Sequence, residues 1–258
     1  MIQSSSLFLQ LTERELHSRF AGRSLGLLWA LINPLVLLAI YSFVFSELLR
    51  PGLPQGGAHH YTLFVAIGLW PWMMFADGVM RGMVSIQSNA ALVKKIAFPH
   101  VYLLGASVTA AFATHLLGYA LVLFALAAAG NEIKLSGIPI AAVCVLLLFA
   151  FTMGVAALLS GLQTVLHDVE MAVTPAITML HFLTPVIYPL AMIPERYRHY
   201  LEWNPVAVLI EGIRGALLPP VAEAAALGMG APFVIALAIV AAGTLVFSRL
   251  SPYFEDFL

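Results

Sequence analysis

The sequence predicts an all-α membrane protein that crosses the bilayer six times. Of its 258 residues, 61% are hydrophobic and only 10% are charged, and the charges are confined to short segments between long uncharged ones. A soluble domain carries about 25% charged residues, so this chain has too few to cover a solvated surface. The apolar runs are continuous and do not alternate with polar residues, which favours helices over the strands of a membrane barrel.

Six transmembrane helices fit the uncharged segments. A helix needs about 20 mainly apolar residues to cross a hydrocarbon core about 30 Å thick. The predicted helices are residues 25–48, 62–86, 100–129, 137–163, 171–190 and 232–250. We expect one domain over residues 1–258, with an N-terminal segment at 1–22, five spans within 23–190, an outer segment at 191–222, the sixth span within 231–250 and a tail at 251–258.

The lysines and arginines predict that both termini lie in the cytoplasm. With the N-terminus inside, seven of the 12 basic residues face the cytoplasm and five face outside, and the arginines before the first span weigh most. Six spans then return the C-terminus to the same side. Residues 1–22 are polar and the first apolar run is too long for a signal-peptide core, so we expect a retained first span.

The segment before the first span can form a helix. Within residues 7–20, Leu9, Leu16 and Phe20 share one helical face. An amphipathic helix on the inner membrane surface and an ordinary segment before a membrane anchor are both compatible with this narrow stripe.

Two further segments outside the spans invite two interpretations each. Residues 88–99 contain the pair Lys94 and Lys95 and form either a short helix along the membrane or a basic topological anchor. Residues 206–218 are apolar but too short to span. They form either a re-entrant helix beside a pathway or a helix that lies flat on the outer surface.

Charged residues within or near the spans occur in pairs of opposite sign. Asp77 and Arg81 lie four residues apart and share one helical face, and Glu211 and Arg214 lie three apart. A charge at the centre of a bilayer costs about 2.5–3.5 kcal/mol on insertion scales, and pairing lowers that cost. We therefore expect structural ion pairs at both places.

Aromatic residues cluster toward the outer ends of the predicted spans. Aromatic belts at the membrane interface explain most such residues, and a transport path lined by aromatic faces is the sharper alternative. The residues are Tyr41, Phe45, Trp70, Trp72, Phe75, Phe182 and Tyr188. The histidines His115, His167 and His181 share no metal-ligand spacing, so we expect hydrogen-bonded core residues and no metal.

Motifs for catalysis and nucleotide binding are missing from the sequence. Its three lysines, Lys94, Lys95 and Lys134, do not follow glycine as a Walker phosphate-binding loop requires. We therefore expect no ATPase site, no catalytic residue and no cofactor on this chain. The net charge of −1 gives no basic excess of the kind that nucleic-acid binding needs.

Three stretches together resemble the permease subunits of ABC exporters for O-antigen, capsular polysaccharide and teichoic acid. They are RSLGLLWALINPLVLLAIYSFVF at residues 23–45, GLWPWMMFADGV followed by NAALVKKIAFP within 68–99, and LTPVIYPLAMIPERYRHYLEWNPVAVLIEGIRGALL at 183–218. Their order and spacing resemble the family over essentially the whole chain. The resemblance implies export of lipid-linked polysaccharide, so that the aromatic path is one for sugars. Within the family, the short acidic tail at residues 253–258 favours O-antigen over a capsular or teichoic-acid polymer.

The resemblance also implies roles for named segments. It implies an interface helix at about residues 5–21 and two re-entrant helices within 195–218. It implies a coupling helix that docks on the ATPase, with the residues Asn89, Leu92, Lys94, Lys95 and Phe98. It implies a cytoplasmic entrance at the turn before the first span, where nearby arginines suit the diphosphate of a lipid-linked glycan; the entrance residues are Arg19, Arg23, Leu25 and Gly26.

The implied assembly is a homodimer with two copies of an ABC ATPase subunit in the bacterial inner membrane. ATP and Mg²⁺ are expected on the ATPase, and the other implied partners are lipid-linked polysaccharide, membrane lipid and periplasmic export proteins. Two other classes remain as alternatives. An ion-coupled carrier needs an unpaired acid inside the membrane, and a membrane-embedded transferase needs paired carboxylates or a metal cluster at one membrane face.

Overall fold

The computed structural model describes residues 2–22, 24–45, 58–95, 98–218 and 230–258. Within these ranges the chain is helical and contains no strand, so the all-helical class is confirmed. Among the described residues, four helical stretches are long and apolar enough to cross a membrane: Tyr61–Val84, Val101–Ala128, Leu135–Leu166 and Gly230–Phe257. Two shorter apolar helices cover Trp29–Phe43 and Val169–Leu183.

We number the helices in chain order. They are α1 (Ile2–Phe20), α2 (Trp29–Phe43), α3 (Ala58–Val84), α4 (Ala90–Val93), α5 (Val101–Ala128), α6 (Ile138–Leu166), α7 (Val169–Leu183), α8 (Glu195–Leu201), α9 (Pro205–Leu217), α10 (Gly230–Leu250) and α11 (Phe254–Phe257). The predicted helices at 100–129, 137–163 and 232–250 match α5, α6 and α10 to within three residues at each end.

The helix at the centre of the fold is α3, which packs against α2, α5, α6, α7 and α9. Small residues allow the close approach of its neighbours, as they do between membrane helices generally. A Cβ atom at Gly82 would collide with Ala156 of α6, and one at Gly78 would collide with Thr152. Gly154 and Gly243 allow the same close contact between α6 and α10 at the periphery.

Local sequence explains where several elements begin and end. The Asn204 side chain accepts hydrogen bonds from the backbone nitrogens of Val206 and Ala207, and Pro205 follows it, so α9 begins with a capped first turn. Between α1 and α2, Gly22 and Gly26 have φ angles of 73° and 48°. Those values are costly for residues with a Cβ atom, so the glycines make this tight turn possible.

The fifth predicted span, residues 171–190, is shorter in the structure. Helix α7 ends at Leu183, and Thr184 adopts an extended conformation with a ψ angle of 136°. Pro189 is also extended before the short turn that leads to α8. A proline disfavours the helical conformation of the residue before it, so Pro185 favours the extended conformation of Thr184 and ends the helix.

Helix α1 contacts the spans through residues outside the predicted apolar stripe, and the membrane-facing role of that stripe stays a prediction. Leu9 is 65% exposed, whereas Leu11 and Arg19 are buried. The ring of Phe8 packs beside Tyr102 and over Gly105 of α5, where the missing side chain makes room for it. Packing against α5 therefore determines which face of α1 is buried, and the spacing of the leucines did not indicate that face. The side chain of Phe20, which belongs to the predicted stripe, lies outside the described residues.

Candidate functional site

A cavity of about 500 Å³ lies between the end of α1 and helices α2, α3, α5 and α7. Part of its lining is polar and part is aromatic. The polar residues include Arg19, Asp77, Arg81, Thr114 and His115, and the rings include Trp29, Tyr41, Trp72, His181 and Phe182.

Asp77 is the shared acceptor of the polar part. It accepts hydrogen bonds from Arg81 Nε at 2.7 Å, from His115 Nε2 at 3.2 Å and from the guanidinium of Arg19. Because these donors belong to α3, α5 and α1, one carboxylate joins three helices. The bonds also offset much of the cost of placing a carboxylate in an apolar environment.

Arg19 attaches the end of α1 to α3 and α5. Its side chain is only 3% exposed, and its Nη1 donates to Thr114 Oγ1 at 2.7 Å and to the Ala110 carbonyl at 3.0 Å. Burial lowers the pKa of the Arg19 guanidinium from its ordinary value, while the neighbouring Asp77 acts in the opposite direction. Arg19 thus forms a fixed positive wall of the cavity.

The aromatic part is built around His181 of α7. Its Nε2 shares a hydrogen bond of 3.2 Å with the Tyr41 hydroxyl. The ring centroid of His181 lies 5.1 Å from that of Trp72 and 5.4 Å from that of Phe182. Such a group offers flat apolar faces together with hydrogen-bonding edges.

Arg214 holds α9 against α3 away from this cavity. Its Nη1 lies 2.5 Å from Glu211 Oε1, and the guanidinium also donates to the carbonyls of Pro185 and Val186. Its Cζ lies 3.7 Å from the ring centroid of Phe64. The side chain is 3% exposed, so it fixes the extended turn after α7 as well as α9.

The segment around α4 is joined to α1. The Asn89 side-chain oxygen accepts a hydrogen bond from Arg14, and its nitrogen donates to the Ser85 carbonyl at 2.8 Å. Lys94 and Lys95 are exposed at the end of α4. Leu92 and Phe98 are half-buried, and the ring of Phe98 packs edge-on against His100 at 5.8 Å.

The sequence model of the ABC-2 type transporter family matches residues 6–218. That range covers most of the chain. The chain belongs to the ABC-2 type transporter family.

Relatives of this ABC-2 chain are named for polysaccharide export. The O-antigen export system permease protein RfbA of Klebsiella pneumoniae is 31% identical over 207 residues, covering 79% of this chain and 77% of the relative. RfbA of Myxococcus xanthus is 28% identical, covering 81% and 79%. The polysialic acid transport protein KpsM of Escherichia coli is 23% identical, covering 80% and 79%. Membership in this family makes the chain a multi-pass membrane component of an ABC transporter.

Of the predicted entrance residues of the ABC-2 chain, one lines the cavity and two lie in the turn before α2. Arg19 lines the cavity. Leu25 is exposed and Gly26 is half-buried in the turn before α2. Arg23 is outside the described residues.

The predicted path aromatics divide into two groups. Tyr41, Trp72 and Phe182 line the cavity. The other four pack elsewhere: Phe45 against Tyr61 at 6.0 Å, Trp70 against Tyr119 at 6.5 Å, Phe75 against Phe151 at 5.9 Å, and Tyr188 with its hydroxyl on the Phe182 carbonyl at 2.7 Å.

The sequence predicts the pair of Asp77 and Arg81 but does not indicate Arg19 and His115, which are further partners of Asp77 in the structure. Arg19 is 58 residues from Asp77, and no local spacing indicates such a contact. His115 and His181 are buried and hydrogen-bonded. His167 differs from its prediction as a core residue, because it is exposed and ends α6 with a φ angle of 58°.

Proposed function

We propose that this chain is the permease subunit of an ABC exporter that moves lipid-linked polysaccharide, specifically O-antigen, across the bacterial inner membrane. The observation that supports this most directly is the cavity, which combines cationic and aromatic walls within a membrane-spanning chain. Sugar rings stack on aromatic faces, and arginine suits the phosphate of a lipid carrier. Relatives named as O-antigen export permeases give the cargo class.

A topology of six spans follows if α2 and α7 also cross the membrane. Each has 15 residues, or about 22 Å of helix, which is short of a hydrocarbon core about 30 Å thick. The short helical turn Gly26–Leu28 before α2, and Val44 and Phe45 after it, lengthen that span. In this arrangement both termini are cytoplasmic, and α8 and α9 are re-entrant helices on the periplasmic side. Arg214 attaches α9 to α3 and to the turn after α7.

A second copy of the chain completes the path in this proposal. Large apolar side chains on α2 and α7 are exposed in the single chain, for example Phe43 at 59% and Met179 at 64%. Both helices also line the cavity. A homodimer that covers these faces encloses two cavities in one continuous channel.

Two ATPase subunits supply the energy and bind ATP and Mg²⁺. The docking segment on this chain is α4 with its flanks, which expose Lys94 and Lys95. Movement of this segment reaches the cavity by two connections: directly along α3, and through Asn89 and Arg14 to α1, which carries Arg19. Arg19, Leu25 and Gly26, with Arg23, form the entrance for the lipid diphosphate.

A capsular polysaccharide is the second candidate cargo. The polysialic acid transport protein KpsM matches 80% of the chain at 23% identity. The lower identity makes it the weaker of the two.

Co-purification tests the proposed function. The tagged chain is extracted from its native host in mild detergent, and its partners and ATPase activity are measured with and without lipid-linked O-antigen. We expect a stoichiometric ATPase subunit whose turnover responds to the glycan. A purified chain without any ATPase partner contradicts the proposal, and a response to capsular polymer alone selects the second cargo.

A further inference from the structure

A groove of about 530 Å³ runs over α6 between α5 and α10. Small residues of α6 form its floor, and its flanking walls include one residue each of α5 and α10; these residues are Ala150, Gly154, Ala157, Leu104 and Val240. Among the described residues, none lines both this groove and the cavity around Asp77, and none of the groove residues belongs to α2 or α7. The groove is therefore a separate site, away from the two helices that the proposed dimer covers.

The groove has the depth of one membrane leaflet. Each of the three helices around it is long and apolar enough to cross a membrane. Along α10 and the turn after it, the groove extends from Val240 to Ser251, which is about 16 Å along a helix axis. Half of a hydrocarbon core about 30 Å thick is about 15 Å. A single acyl chain of one leaflet therefore matches the groove in length.

The polar side chains within the groove are satisfied by their own helix. Thr244 Oγ1 donates to the Val240 carbonyl at 2.9 Å, and Ser248 Oγ donates to the Leu245 carbonyl at 2.9 Å. These hydroxyls thus use their donors inside α10, and the floor on α6 is apolar. An apolar site of this kind excludes water and takes an apolar ligand.

Polar groups gather at the end of the groove where α5 begins and α10 ends. His100 Nδ1 and Ser251 Oγ lie 3.1 Å apart. The His100 ring packs against Phe98 and Phe254, with ring centroids 5.8 Å and 5.7 Å away. A hydroxyl and an imidazole can both donate a hydrogen bond to an ester carbonyl. The groove is thus polar at one end and apolar along the rest, as the ester and the chain of a phospholipid are.

We infer that the groove binds one acyl chain of a phospholipid from the leaflet on the side where α10 ends. The ester of the lipid lies beside His100 and Ser251, and the chain extends over α6 toward Val240. In the proposed topology this is the cytoplasmic leaflet. The lipid also contacts Phe98, which follows α4, so it supports the segment next to the proposed docking site. This binding site requires only that the chain spans the membrane, and it does not depend on the cargo.

Photo-crosslinking tests the position of the chain. The protein is purified with its partners from native membranes and incubated with phosphatidylethanolamine that carries a diazirine at the end of one acyl chain. We expect the label near Ala150 and Val240, at a higher level than at Phe124, an exposed side chain of α5 outside the groove. Excess unlabelled phosphatidylethanolamine should remove it.

Three results of the crosslinking contradict the inference. Even labelling of all exposed apolar side chains would show only general solvation by lipid. Displacement of the label by a polyprenyl phosphate, but not by phosphatidylethanolamine, would assign the groove to the lipid carrier of a glycan. A groove without label, under conditions in which Phe124 is labelled, would show that lipid does not enter it.

Variants with matched controls test the groove itself. Ala150→Phe fills the groove at an exposed position, so labelling should fall about tenfold, which corresponds to about 1.4 kcal/mol of binding free energy. Ala142→Phe makes the same change at an exposed position of α6 outside the groove and should leave the labelling unchanged. Thr244→Val should also leave it unchanged, because that hydroxyl is satisfied within α10. Loss of label in Thr244→Val would indicate a polar ligand and overturn the acyl-chain assignment.

Thermal unfolding of the delipidated protein gives a second measurement. Added phosphatidylethanolamine should raise the melting temperature of the unchanged protein and of Ala142→Phe, because a ligand that binds the folded state stabilises it. It should raise that of Ala150→Phe much less, since the new ring occupies the space of the chain. An equal rise in all three proteins would reject the lipid site. That result leaves the proposed export function untouched, because co-purification of the ATPase subunit tests it separately.

Discussion

Arg214 and Arg19 are both buried, and acceptors from other elements hold each of them. Arg214 satisfies two carbonyls of the turn after α7, and Glu211 balances its charge. Arg19 is bound by Asp77 and Thr114 on two different helices. A buried arginine with several acceptors fixes its neighbours more firmly than a surface ion pair does. If the arginine moves away, each of its acceptors remains buried without a hydrogen-bond partner.

Replacing Arg214 should destabilise the chain strongly. Arg214→Met leaves Glu211 and two backbone carbonyls without their donor, which costs about 3–5 kcal/mol for a buried pair. Thermal unfolding of the detergent-solubilised protein measures the loss. Arg196→Met, at an exposed arginine on α8, is the control and should stay within about 0.5 kcal/mol. Equal melting temperatures for Arg214→Met and the unchanged chain would show that the contacts of Arg214 contribute nothing to stability.

At the scale of elements, two arginines of α1 attach this helix to the spans and to the segment around α4. Arg19 reaches α3 and α5, and Arg14 reaches Asn89. The two arginines lie five residues apart, so the attachments are separate.

Removing the charge of Asp77 should loosen α1. Asp77→Asn weakens the bond to Arg19 by about 1.5–3 kcal/mol, so hydrogen exchange in α1 should accelerate about tenfold or more while exchange in α10 is unchanged. Asp256→Asn, an exposed change on α11, provides the comparison. Unaltered exchange in α1 would mean that packing of Phe8 and Leu11 alone holds the helix.

Charge reversal on the docking segment should uncouple ATP hydrolysis from export. Lys94→Glu combined with Lys95→Glu alters only exposed side chains, so the fold should persist while the ATPase contact is disturbed. Polymer at the cell surface should fall, with the permease still present in the membrane at its usual level. Lys134→Glu, outside the docking segment, is the control. Normal export by the double variant would remove these lysines from the coupling contact.

The long spans could be predicted from the sequence because length and hydrophobicity determine them. Contacts between helices could not be predicted in this way. Trp70 and Trp72 lie in the same apolar run, but residues two apart point about 200° apart on a helix. Trp70 therefore stacks on Tyr119 while Trp72 faces the cavity, and which of the two faces the cavity depends on where α2 and α7 pack.

The cavity residues also depend on tertiary structure. Arg19, Tyr41 and His181 come from three separate helices and meet only after α1 packs on α5 and after α2 and α7 pack on α3. The resemblance implied an entrance that includes Arg19, an aromatic path included Tyr41 as an alternative, and His181 was expected in the core. No spacing in the sequence brings the three into one cavity.

At the scale of the whole molecule, the proposed six-span topology places successive loops on opposite sides of the membrane. Cys144 is the one cysteine of the sequence and is buried, so Cys144→Ala gives a background for single-cysteine labelling. An impermeant maleimide should label Lys134→Cys and Arg196→Cys from the periplasmic side. It should label Lys94→Cys and Asp256→Cys only after the membrane is permeabilised. Labelling of Asp256→Cys in intact spheroplasts would exclude an even number of spans with a cytoplasmic N-terminus.

Transport into inside-out membrane vesicles tests the proposed export function most directly. Vesicles that contain this chain and its ATPase subunit receive lipid-linked O-antigen on the outside, and glycan protected from an added glycosidase is measured over time. We predict ATP-dependent protection that disappears when either subunit is omitted. Protection that is the same with and without ATP, or with and without this chain, would contradict its role as the permease of a polysaccharide exporter.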